Sequence, residues 1–190
     1  MSRNPPDLGT SMLLETRLSR RKLAANVTAM TLVAWGVTHT RQAHAALAMP
    51  SDKVLLTVSG KIGIKNVGDT AQFDRAMLEG LGMHTIKTHT KWDNDVVTFE
   101  GPLMSDVMKA VGASGVTAQA IALNDYHTDI PIEDFARYNP ILSMKRDGNY
   151  MSVREKGPLF VVYPYDSDTE LNQQKYYGRS AWQVAQFVIK

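Results

Sequence analysis

Aromatic side chains interleaved with cations gather toward the end of the chain. Tyr163-Pro164-Tyr165-Asp166 closes an apolar run, and Lys175-Tyr176-Tyr177-Gly178-Arg179-Ser180 leads to Trp182. Rings in such a mixture stack on a flat heteroaromatic ligand, while guanidinium and amide groups meet its polar edge. Amphipathic residues lining a strand edge would read the same way. A second cluster, Asn124-Asp125-Tyr126-His127, follows the apolar stretch ending at Leu123. That is a strand-end position, where loops on a rigid scaffold build sites; an Asx-rich turn is the structural alternative. Other chemistries find little support. There is no Gly-x-Ser-x-Gly for a nucleophile elbow and no phosphate loop. The absence of cysteine removes thiol nucleophiles, disulfides, thiolate-held zinc and iron–sulfur clusters. His84 and His89 stand five apart on an expected strand and so point to opposite faces, which disfavours a shared metal. Neither a metal site nor a catalytic residue is expected.

The elements that must carry these clusters follow from hydrophobic patterning. Val54 to Val58, bounded by Pro50 and Ser59-Gly60, reads as a buried strand extended by Ile62, Ile64 and Val67. Thr70 is the expected N-cap of a helix carrying Phe73, Met77, Leu78 and Leu81, ended by Gly80 and Gly82. His84 to Thr90 and Val96 to Phe99 read as strands. A second helix starts near Pro102, buries Leu103, Val107, Met108 and Val111, and stops at Gly112. Strands then dominate: Val116 to Leu123, His127 to Ile132, Ile141 to Met144, Leu159 to Tyr163 and Trp182 to Ile189. Asp147-Gly148 signals a hairpin turn. These elements predict one mixed α/β (α+β), strand-rich domain.

Charge divides the chain. Of 190 residues, 21 are basic and 19 acidic, 44% are hydrophobic and 21% charged, close to the globular average. Residues 1–45 hold six basic and two acidic residues, a charge of +4, so the other 15 basic and 17 acidic residues leave −2. Ser19-Arg20-Arg21-Lys22-Leu23 precedes an uncharged stretch to Val37, too short for a permanent span of ~20 residues, and Ala43-His44-Ala45 has the small-x-small form of a cleavage site. Residues 1–45 are therefore expected to be a signal peptide of twin-arginine type, and residues 46–190 a single domain in the periplasm. The overall +2 belongs to the leader, so nucleic acid is not an expected partner.

Taken in order, Phe99-Glu100-Gly101-Pro102-Leu103 before a helix, Arg146-Asp147-Gly148-Asn149 at a turn, Lys156-Gly157-Pro158-Leu159 leading to Tyr163-Pro164, and Arg179 shortly before Trp182 carry a resemblance. From roughly Val54 to Ile189 the chain resembles the molybdopterin-binding domain of the sulfite oxidase family. The resemblance implies that fold. In the family a protein cysteine after a strand like His84 to Thr90 ligates molybdenum. Here the stretch is Thr88-His89-Thr90-Lys91-Trp92, whose hydroxyls match the metal poorly. The cysteine-less members it resembles more closely include exported pterin-binding proteins, some acting on the periplasmic side of a membrane enzyme that makes or degrades cyclic di-GMP. The resemblance implies a free pterin as ligand, with molybdopterin as the alternative, and the periplasmic domain of a membrane-bound signalling protein as partner. By chemical type, Trp92, Tyr126 or Tyr165 would stack, Asp125 or the Asn124 carbonyl would accept from the 2-amino and N3 hydrogens, and Arg154 or Arg179 would donate to the 4-oxo group. An oxidoreductase holding molybdenum without cysteine is the alternative activity, and an accessory protein with an empty relic pocket a third.

Overall fold

A computed structural model describes residues 47–190; the expected leader lies outside them. In chain order the elements are β1 (Leu56–Gly60), β2 (Ala71–Phe73), α1 (Arg75–Glu79), β3 (His84–Thr88), β4 (Val97–Gly101), α2 (Met104–Ala110), β5 (Thr117–Ala122), β6 (His127–Pro131), α3 (Glu133–Tyr138), β7 (Ile141–Ser143), β8 (Lys145–Arg146), β9 (Asn149–Tyr150), β10 (Phe160–Val162), α4 (Gln174–Arg179) and β11 (Val184–Ile189). The domain is mixed α/β and strand-rich, as the patterning predicts. None of the described helices is long and apolar enough to cross a membrane.

One sheet runs β2-β1-β11-β5-β6 and is antiparallel except for the parallel β1–β11 pair. Its strands alternate except at the β11 register slip: Leu56, Val58, Ala118, Ala120, Ala122, Phe187 and Ile189 are buried, while their neighbours are half-buried or exposed. Alternation with period two puts every second side chain in the core. A second sheet runs β3-β4-β8-β9, and β7 pairs with β10. Both strands of that last pair are buried along their whole length, which fits the continuous apolar sequence of β10; in β7 the buried Ser143 hydroxyl is satisfied by the Lys145 carbonyl. Gly101 lets β4 approach β7 closely, because a Cβ there would collide with the Leu142 carbonyl.

The Asp147-Gly148 hairpin forms as expected. It joins β8 to β9 with both central residues at positive φ, 48° and 80°, the geometry that matches strand twist. Other expectations need correction. Thr70 caps no helix; its hydroxyl closes a turn on the Val67 carbonyl, and Phe73 lies in β2. Asp74 caps α1 instead, because its carboxylate accepts from the Met77 N–H and also from Ser51 and Asp52, tying the preceding segment to the helix. Ile62, Ile64 and Val67 do not continue β1; Ile62 makes one isolated bridge to Ala113 and Val67 one to Thr70. Trp182 precedes β11 rather than starting it. Gln183 between them has φ 54°, and the register slips between Val184 and Gln186.

Candidate functional site

Three segments converge on one cleft of about 270 Å³. Lys91 and Trp92 come from the loop after β3, Asn124 and Tyr126 from the β5–β6 turn, and Gln174, Tyr177, Gly178, Ser180 and Trp182 from α4 and the strand-like segment after it. Each segment is fixed by local hydrogen bonds. In the first, the Thr90 hydroxyl accepts from the Trp92 N–H at 3.1 Å and donates to Asp93 at 2.7 Å, and Arg146 donates to the other Asp93 oxygen at 2.7 Å. In the second, Asp125 takes a left-handed φ of 63° and the Asn124 side-chain oxygen accepts from the Tyr126 N–H at 3.2 Å, an Asx turn. In the third, the strained Gln183 is held from three sides: its N–H donates to the Lys156 carbonyl, its amide donates to the Val153 carbonyl, and its carbonyl accepts from Leu123. This clamp sets the direction of Trp182.

The walls are aromatic. Trp92 meets Phe160, Tyr177 and Trp182 edge-on at 5.7, 5.5 and 5.5 Å between centroids. Trp92 is partly buried against the core, whereas Trp182 is 38% and Tyr126 54% exposed. Trp92 therefore forms the base of the cleft, and Trp182 and Tyr126 are the rings with free area. Behind Tyr177 stands Tyr165, 4.8 Å away and tilted by 33°. The Ser180 hydroxyl donates to the Tyr176 carbonyl at 2.8 Å, so its one hydrogen is used and Tyr165 donates to it at 2.5 Å. Burial pushes the Tyr165 pKa up, which keeps the phenol a neutral donor.

Of the seven residues expected from sequence, Trp92, Asn124 and Tyr126 line this cleft. Asp125 shares the turn but does not line it, and Tyr165 supports it from behind. Arg154 lies on an exposed 3-10 turn, Val153–Glu155, outside it. Arg179 is turned away into a buried network: its guanidinium donates to Asp134 at 2.6 Å, and Tyr163 donates to the same oxygen at 2.8 Å. The Asn124 oxygen, one of the two expected acceptors, already accepts from the Tyr126 N–H, and its NH₂ has no acceptor among the described residues. Sequence reasoning did not place Lys91 or Gln174 in the site. Both lie where no apolar periodicity marks a helix or strand, and only the fold brings them across from each other; Lys91 Nζ donates to Gln174 at 3.3 Å. A larger cavity of about 430 Å³ lies between β3 and α3. It shares none of the seven residues and presents two aromatic rings, His84 and Tyr138, against four in the cleft, so it suits a flat ligand less well.

Both threonine hydroxyls of the Thr88-His89-Thr90-Lys91-Trp92 stretch are engaged within the protein. The Thr88 hydroxyl accepts from the Asp166 N–H and faces the His89 carbonyl, and the Thr90 hydroxyl is committed as above. No cluster of three histidine, aspartate or glutamate side chains among the described residues could hold a metal. His89 instead ties the loop to Asp166, which accepts from both its N–H and its ring nitrogen, at 2.7 and 2.9 Å.

Two carboxylates that hold this loop titrate low. Burial alone would raise Asp166 and Asp93. For Asp166 it is outweighed by hydrogen bonds from His89, and for Asp93 by those from Thr90 and Arg146, so both stay below the ordinary 3.8. A carboxylate with a depressed folded pKa contributes stability that is present above its unfolded pKa and lost as pH falls through the folded one. Urea midpoints should therefore be flat above roughly pH 5 and fall below it. An Asp93→Asn variant should show a shallower acid loss; a wild-type midpoint that rises on acidification would contradict these assignments.

No protein-family model and no curated protein matches the chain. Fold and site define the protein as a strand-rich α/β domain carrying an aromatic, cation-bearing cleft of about 270 Å³.

Proposed function

We propose that this is an exported, periplasmic protein with a sulfite-oxidase-like molybdopterin-binding domain fold that binds a free pterin and performs no chemistry on it. Occupancy would be relayed to the periplasmic domain of a membrane-bound signalling protein that controls cyclic di-GMP. The observation that carries the reading is the cleft itself. Its four rings and four polar side chains, Lys91, Asn124, Gln174 and Ser180, match a bicyclic ring with a hydrogen-bonding edge. At about 270 Å³ it lies just below the range of about 300–1,000 Å³ that takes drug-sized ligands, which favours a pterin over the whole of molybdopterin. Trp182 and Tyr126 would stack on the pterin, Lys91 and the Asn124 NH₂ would donate to its oxygens, and Gln174 would accept from its amino edge. Relay needs the partner to prefer one state of occupancy; Trp182 and Tyr126, which both line the cleft and reach solvent, are the residues placed to report it.

Protein isolated from its native periplasm tests this reading. Heat-released small molecules should show pterin fluorescence, and elemental analysis should find no stoichiometric molybdenum. Stoichiometric molybdenum would overturn the reading in favour of the oxidoreductase. Neither metal nor pterin, together with no binding of added pterins, would leave the relic pocket.

A further inference from the structure

One charge in the cleft has no carboxylate partner among the described residues. Lys91 Nζ sits 5.2 Å from the Trp92 ring centroid and 5.0 Å from that of Tyr177, two rings nearly perpendicular to each other. Its hydrogen bond goes to a neutral amide, Gln174. None of the ion pairs among the described residues involves it, and none of the described residues that line the cleft is a carboxylate. Asp93, two residues along the chain, is paired with Arg146, and Asp166 with His89. Two ring faces and an amide thus hold an ammonium in place at an exposed edge of the site. Asn124 lines the same cleft, and its NH₂ has no acceptor among the described residues, since only its oxygen is engaged.

We infer that the ligand is an anionic pterin, one that carries a carboxylate substituent on its ring system, and that Lys91 receives that carboxylate. The inference rests on the pterin reading. A held ammonium next to an aromatic wall gives a hydrogen bond to a charged group, stronger than one to a neutral carbonyl. With the ring stacked on Trp182 or Tyr126, a substituent at its edge reaches Lys91, while the Asn124 NH₂ can share the same anion. One ammonium and one amide suit a single negative charge better than a phosphate dianion.

Fluorescence titration of the full protein with two probes, pterin-6-carboxylate and neutral 6-hydroxymethylpterin, tests this. Wild type should bind the carboxylate about tenfold more tightly, with the preference shrinking as added salt screens the exposed pair. Lys91→Gln should bind both probes alike, and Lys91→Arg should restore the preference. Excess inorganic phosphate should not displace the carboxylate probe; displacement would overturn the choice of carboxylate. Equal affinities in wild type, or a preference that persists in Lys91→Gln, would overturn the inference while leaving pterin binding intact. If neither probe binds, the inference falls together with the reading beneath it.

Discussion

The Asp134→Ala variant is expected to lose about 3–5 kcal/mol of stability, the cost of stranding a buried charge. Asp134 is 3% exposed and sits on α3. One of its oxygens takes both the Arg179 guanidinium at 2.6 Å and the Tyr163 hydroxyl at 2.8 Å. Without it, the largely buried guanidinium has no anion and the fully buried phenol no acceptor. Burial and the Asp134 charge push the Tyr163 pKa upward, so the hydroxyl stays a donor and cannot adapt by ionising. Asp134→Asn keeps an acceptor and loses the charge, so it should fall between wild type and alanine. Urea unfolding followed by circular dichroism measures this. An alanine variant within about 1 kcal/mol of wild type would show that the network contributes little. The same arrangement bears on function: Arg179 holds α4 to α3 directly before Ser180, so its role is to position the cleft wall.

Trp182→Ala is expected to weaken pterin binding by roughly 1–3 kcal/mol, the range for loss of an aromatic stack under a heteroaromatic base, or about fivefold to 150-fold in Kd. Because the Trp182 ring is 38% exposed, its removal should disturb the core little. Trp92→Ala should behave differently. Trp92 packs on Phe160, Tyr177 and Trp182 and joins the edge of the core, so its loss should reduce both stability and binding. Thermal unfolding and pterin titration on the two variants separate the roles. A Trp182→Ala protein that binds as tightly as wild type would remove that ring from the site.

Strands with strict alternation were legible in the sequence. Val116 to Leu123 became β5; Leu159 to Tyr163, a continuous apolar run rather than an alternating one, became β10, and the Asp147-Gly148 turn formed where φ must be positive at two successive residues. Helices were harder. α3 and α4 are six residues each, too short for a periodic apolar face, and α4 is dominated by polar and aromatic residues. The N-cap of α1 differs from expectation because a threonine and an aspartate four residues apart are equal candidates on local chemistry; Asp74 also gathers the distant Ser51 and Asp52 N–H groups, which the local sequence does not show. The site was half legible for a similar reason. Aromatic density and the strand-end position of Asn124 and Tyr126 are local signals. The burial of Tyr165, the diversion of Arg179 to Asp134, and the placing of Lys91 opposite Gln174 depend on contacts between segments 15 to 83 residues apart.

The most direct test of the account is a calorimetric titration of the purified protein with a pterin, repeated on Trp182→Ala and on Arg154→Ala, which lies outside the cleft. One saturable site is expected, weakened roughly tenfold or more by Trp182→Ala and unchanged by Arg154→Ala. Absence of binding, or binding indifferent to Trp182, would contradict it.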